Sequence, residues 1–351
     1  MSVMTGEHGG DRRTIRRRRW LRPGARVLAV AIVGAASVGL LLWVAPPSSV
    51  IDQIRHMNPT WVLAAVALEL GSCLSYVVVF RRFFPEPPRA VSRQVAWIAM
   101  GAGAVLPGGN ISSAAATGWL LRAHGIGTRR LLERCAALLC LLTAFGFVVN
   151  GVAGVLLLAG VSGGPHDLLH TGGPILVSVG VLSSALLVVG VARRLGRRDG
   201  RVSLPVRAVA AGFEGAWSAV RTPNWRLLGA AGFLLLDMGA LWAGCAATGH
   251  PLGAPALAIA YCIGYLATAI PMPAGLGVLD SGLAASLVLY GFSPAASVGA
   301  VLVYHAIAIW VPGVGGLAAW LPTRRGRVSA PIVELPVLGA LRLAEVTETD
   351  R

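Results

Sequence analysis

From position 269 the chain runs Ala-Ile-Pro-Met-Pro-Ala-Gly-Leu-Gly-Val-Leu-Asp, inside a stretch otherwise apolar enough for a bilayer. Pro271 and Pro273 each remove a backbone donor and collide with the preceding turn, while Gly275 and Gly277 add flexibility, so no continuous helix passes through. Broken backbone at membrane depth persists only where protein buries it or where it borders a wet cavity. Asp280 closes the break, and a carboxylate at such depth is costly unless it is paired or used. The chemistry suggested is the holding of a polar group inside the membrane. A structural alternative for Asp280 is to cap the returning half-helix.

Other residues could share that task. Asp237 and Glu69 stand near the middle of apolar stretches and should face the protein interior, handling positive groups or protons. The plainer alternative is burial beside an arginine, or neutralisation. Tyr304 and His305 would line the path, although His305 reads first as a satisfied core histidine. An earlier apolar stretch is interrupted at Pro107, Gly108, Gly109 and Asn110. Freed glycine amides at the start of a half-helix suit a phosphate. Asn110, Ser112 and Ser113 read more simply as caps of that half-helix. Arg82, beside Arg81 at the end of an apolar stretch, is a topology anchor first and a lipid-phosphate contact second.

No catalytic set emerges. The chain has no P-loop, no GxSxG elbow, no HExxH and no clustered acidic pair with metal-ligand spacing. The cysteines at 73, 135, 140, 245 and 262 lie in apolar segments without a CxxC pair, so packing outweighs a disulfide or metal role. The expectation is a non-enzyme without cofactor or metal.

The elements that must position these residues follow from composition. Hydrophobic residues make up 55% of 351 and charged residues 13%, with mean hydropathy +0.70, a surplus that no water-soluble core explains. The net charge of +15 comes from arginine alone, as the chain has no lysine. The arginines fall between apolar stretches rather than in a nucleic-acid patch, at 12–26, 81–93, 122–134, 193–226 and 324–327. The positive-inside rule places all five clusters in the cytoplasm, and the arginine-poor loops near 46–59, 162–173 and 248–255 outside. Full spans are then expected at 27–45, 60–80, 135–159, 174–192, 227–247 and 294–321. Residues 94–121 and 256–290 lie between ends of the same sign, so each must turn back as a broken re-entrant hairpin, and the two face opposite ways. That is the layout of an inverted repeat whose interrupted segments meet near the midplane. Apolar residues at helical spacing over 206–220 predict an amphipathic interfacial helix. Residues 1–26 read as an arginine-rich cytoplasmic N-terminus, 27–322 as the membrane domain and 323–351 as a disordered tail.

At these residues the chain resembles the transmembrane-domain family of lysylphosphatidylglycerol synthases, the flippase-like family. The family's late proline-glycine motif ends in a glutamate, and here it reads Pro271-Met272-Pro273-Ala274-Gly275-Leu276-Gly277-Val278-Leu279-Asp280. Tyr304-His305 and Trp310-Val311-Pro312 resemble the downstream tyrosine-arginine pair and aromatic-x-proline. Leu106-Pro107-Gly108-Gly109 resembles the first loop, and Glu133-Arg134 an acidic-basic pair after it. The likeness spans about residues 25 to 322, with three departures: Ala274 for glycine, Asp280 for glutamate and His305 for arginine. It implies translocation of a lipid or lipid-linked sugar in the bacterial inner membrane, without the soluble aminoacyl-transferase domain. Anionic or lipid-linked membrane lipids are the expected partners. A lipid-modifying enzyme partner and a homo-oligomer stay open, as do two rival readings: a membrane-embedded lipid-modifying enzyme and a non-transporting scaffold of envelope assembly.

Overall fold

A computed structural model of the protein describes residues 47–106, 108–161, 168–196, 204–222, 224–249, 251–266 and 278–325. The expected first span at 27–45, Pro107, and the break carrying Pro271, Pro273, Gly275 and Gly277 lie outside the described residues.

The described chain is all helical. After a short α1 (Pro47–Arg55) come α2 (Pro59–Phe83), α3 (Arg89–Val105), α4 (Asn110–Arg122), α5 (Thr128–Leu158) and α6 (Leu168–Gly196). Then follow α7 (Leu204–Arg221), a 3-10 turn (Trp225–Leu227), α8 (Leu228–Ala247), α9 (Ala254–Leu266), α10 (Val278–Leu289) and α11 (Pro294–Arg325). Among the described residues five helices are long and apolar enough to cross a membrane: Pro59–Phe83, Thr128–Leu158, Thr171–Val188, Trp225–Ala247 and Pro294–Leu321. They coincide with five of the six spans expected from hydropathy.

The spine of the bundle is the pair α2–α8. Pro59 at the first helical position and Asn58, whose Oδ1 accepts from the Thr60 amide at 3.0 Å, start α2. Gly229 brings the α8 backbone so close to α2 that a Cβ there would sit 2.5 Å from the Ser75 carbonyl oxygen and 2.7 Å from the Val79 nitrogen. Further along, Gly232 abuts Ser75 and Gly239 abuts Leu68. At the far end the Asn58 amide donates to the Ala247 carbonyl at 3.1 Å. The register is therefore antiparallel, and it sets Asp237 opposite Glu69.

The ends of the bundle differ in charge. At one end Arg134 holds Glu86 with two hydrogen bonds of 2.6 and 2.5 Å, and Arg82 Nη2 donates to Thr222 Oγ1 at 2.5 Å. The α3–α4 pair has both outer ends there: Ser92 near the start of α3 donates to the Phe84 carbonyl, and Leu121 near the end of α4 shares an apolar cluster with Phe83, Phe84 and Leu131. The α9–α10 pair is antiparallel too, with Gly264 against Leu283 and Ser286 Oγ donating to the Ala260 carbonyl at 3.0 Å. Its outer ends lie at the other, arginine-poor end, where Ala256, Tyr290 and Phe292 pack with Val50. Two pairs of short helices thus point in opposite directions, each between long helices, as charge parity requires.

Two expectations need correction. Asn110 does not cap α4: Gly109 occupies the cap position without a side-chain cap bond, and Asn110 begins the helix, exposed. The α3–α4 turn needs glycine at both positions, since Gly108 has φ +97° and Gly109 φ +47°, which L side chains rarely adopt. The amphipathic helix exists as α7, but small residues form its buried face. Gly212 and Gly215 lie against Ala136 and Ala137 of α5, whereas Trp217 and Val220 point outward.

Candidate functional site

Midway along the bundle five polar side chains from four helices meet. Glu69 and Cys73 of α2 are one turn apart on a single face, and Cys73 Sγ donates to Glu69 Oε1 at 3.7 Å. Across the α2–α8 seam the Glu69 and Asp237 carboxyls are in hydrogen-bonding contact. Asp237 also accepts from two tyrosine hydroxyls. Tyr304 of α11 donates to Oδ1 at 2.9 Å, and Tyr261 of α9 donates to Oδ2 in a short contact. Glu69, Asp237, Tyr261 and Tyr304 are all at least nine-tenths buried.

The depth follows from helix geometry. At a rise of about 1.5 Å per residue, Glu69 and Asp237 each lie roughly 14 Å or more from both ends of their helices. Apolar residues surround them, including Leu241, Val301 and Ile259. At that depth each unpaired polar group costs several kcal/mol (order of magnitude), so the tyrosine donors are as necessary to the fold as the acids. Helix approach is set by small residues. Gly244 lets α8 come within van der Waals reach of the Ala300 carbonyl and of Tyr304, which seats the tyrosine over Asp237.

A second buried pair stands on the neighbouring helices. Asp280, in the first turn of α10, has Oδ1 2.6 Å from His305 Nδ1 of α11, and both are buried. Asp280 thus lies within the first turn of the half-helix, turned toward α11. His305 follows Tyr304 directly, so α11 supplies a partner to each acidic centre.

The sequence-derived candidates sort into three groups. Glu69, Asp237 and Tyr304 come together, and Asp280 comes to His305. Gly108, Gly109 and Asn110 belong to the α3–α4 turn, a separate unit that packs on α11 through Gly101 and Gly316. Arg82 is at the arginine-rich end, where it borders a cleft of about 620 Å³ with Arg129, Glu133, Arg134 and Glu214. There the Arg134 guanidinium holds the Glu86 carboxyl below its ordinary value. The expectation of an arginine beside Glu69 or Asp237 gives way to a meeting of the acids themselves. Sequence reasoning passed over Tyr261 and Cys73. Cys73 was signalled only by its four-residue spacing from Glu69, and Tyr261 only by being one of two hydroxyls, with Tyr265, in an apolar half-helix.

Such a molecule, with several helices long and apolar enough to cross a membrane and a buried polar centre among them, is a multi-pass membrane protein. The chain matches the model of the Lysylphosphatidylglycerol synthase TM region over residues 26–316, and it belongs to that family. No curated protein matches it.

Proposed function

We propose that the protein binds the headgroup of a phospholipid or lipid-linked group near the bilayer centre and moves it between the leaflets of the bacterial inner membrane. The observation that carries this reading is the convergence of Glu69, Asp237, Tyr261 and Tyr304 at mid-depth, with Asp280 and His305 alongside. A polar centre of this size inside hydrocarbon destabilises a bundle unless something polar is handled there. The arginine-rich end faces the cytoplasm and gathers anionic lipid, with Arg82 at the rim of its cleft. The short helix pairs enter the membrane from opposite sides as re-entrant hairpins.

Catalysis on a lipid is the rival. Glu69 and Asp237 are far apart in sequence, yet their side chains meet, which is the arrangement of a general acid–base pair. Against it, both oxygens of Asp237 are already taken by tyrosine hydroxyls. Reconstitution of the purified protein into vesicles bearing a fluorescent phospholipid in the inner leaflet separates the readings. Movement of intact lipid to the outer leaflet, lost in Asp237→Asn, is the expected outcome. A modified lipid product would favour the enzyme, and neither movement nor product would leave a scaffold.

A further inference from the structure

Glu69 Oε2 is buried, and among the described residues no N–H or O–H donor reaches it. The carboxyl that the Glu69 side chain meets is that of Asp237, an acceptor already receiving the hydroxyls of Tyr261 and Tyr304. Two acceptor groups in contact at the centre of an apolar bundle repel unless a proton or cation lies between them. Among the described residues no group of three or more histidine, cysteine or acidic side chains is arranged to hold a metal ion. The hydrogen-bond directions decide where a proton would be. Asp237 accepts on both oxygens, and Glu69 accepts from Cys73 on Oε1, so the free position is Glu69 Oε2.

We propose that Glu69 and Asp237 form an exchangeable proton site, with the proton carried on Glu69 Oε2 and donated to Asp237, and that lipid movement is coupled to its release and return. The coupling rests on the translocation reading above; the proton site does not. On release the Glu69 O–H bond breaks, the electron pair stays on the carboxylate and the proton passes to water at one face of the membrane. On return the same bond forms with a proton drawn from the other face. Two adjacent carboxylates then repel across the α2–α8 seam, which biases the bundle toward a state that opens it. The groups facing the pair are Cys73 from α2, Tyr261 from α9 and Tyr304 from α11. From α10, Asp280 is engaged by His305 of α11, and α5 contributes the apolar Phe145 and Val149.

Infrared difference spectra of the full-length protein in lipid, taken while pH is stepped, read the site directly. A protonated-carboxyl band that titrates in the wild type, is lost in Glu69→Gln and shifts in Tyr304→Phe is expected. The Tyr304→Phe shift keeps the test alive if Glu69→Gln fails to fold, and the wild-type titration needs no variant. A spectrum without such a band, or one in which sodium ions alone abolish it, overturns the proton site. In vesicles, a pH gradient across the membrane is expected to accelerate lipid movement. Movement indifferent to the gradient overturns the coupling while leaving translocation standing. A titrating band in a protein that moves no lipid overturns translocation and leaves the proton site.

Discussion

The arginine-rich end and the middle of the bundle use the same kinds of charged group under opposite conditions. At the end, Arg134 and Glu86 meet with a bidentate geometry, yet Glu86 is 43% exposed, and Arg129–Glu133 is more exposed still. Water and salt screen such pairs, so they tune stability only weakly. In the middle, Glu69, Asp237, Tyr261 and Tyr304 have no water to fall back on, and each must answer to another. The same carboxylates thus form weak, screened pairs where solvent competes and a committed network where it does not.

The contrast can be broken most forcefully at the seam that assembles the network. Gly229→Leu would drive a side chain into the α2 backbone at Ser75 and Val79. Overpacking of this kind costs about 3 kcal/mol or more when backbone must yield, and lost heat stability in detergent together with lost lipid movement is expected. Asp237→Ala comes next. It removes the acceptor that the Tyr261 and Tyr304 hydroxyls share and takes away the carboxyl that Glu69 meets, at a cost of about 2 kcal/mol. Denaturant titration should register that loss, whereas Asp237→Asn, keeping the shape and an acceptor, should lose far less stability but just as much lipid movement.

Smaller effects sharpen the comparison. Tyr304→Phe removes one hydrogen bond and no volume of note, and polar contacts inside membranes average about 0.6 kcal/mol. A small drop in stability with a distinct change in lipid movement would mark the hydroxyl as working within the network. At the arginine-rich end Glu86→Gln should cost less than about 1 kcal/mol, discounted for exposure. Because Arg134 holds the folded Glu86 carboxyl below its ordinary value, the pair's contribution is present above the unfolded carboxylate range. It disappears as pH falls through the lowered folded value. Stability scanned downward through acid pH should therefore fall slightly in the wild type and show a smaller step in Glu86→Gln.

Much of the architecture was legible beforehand for a simple reason. A span needs about 20 apolar residues, and arginine avoids the far side of the membrane, so length and charge fix the long helices and the sense of the short pairs. Gly108 and Gly109 carried their positive φ in their identity. Asn110 misled because a polar residue beside a turn advertises a cap whether or not the backbone places its side chain there.

What the sequence determined by itself was a multi-pass helical bundle with acids midway along its long helices. Hydropathy and charge act along the chain, and the bilayer reads them locally. What tertiary structure alone decided was who meets whom. Glu69 and Asp237 are far apart in sequence, and only the glycine-lined approach of α8 to α2 sets them face to face. Tyr261 and Tyr304 join them because α9 and α11 close on the same point. Helix register depends on small residues fitting backbone against backbone, a property of two surfaces together that neither helix's sequence contains alone.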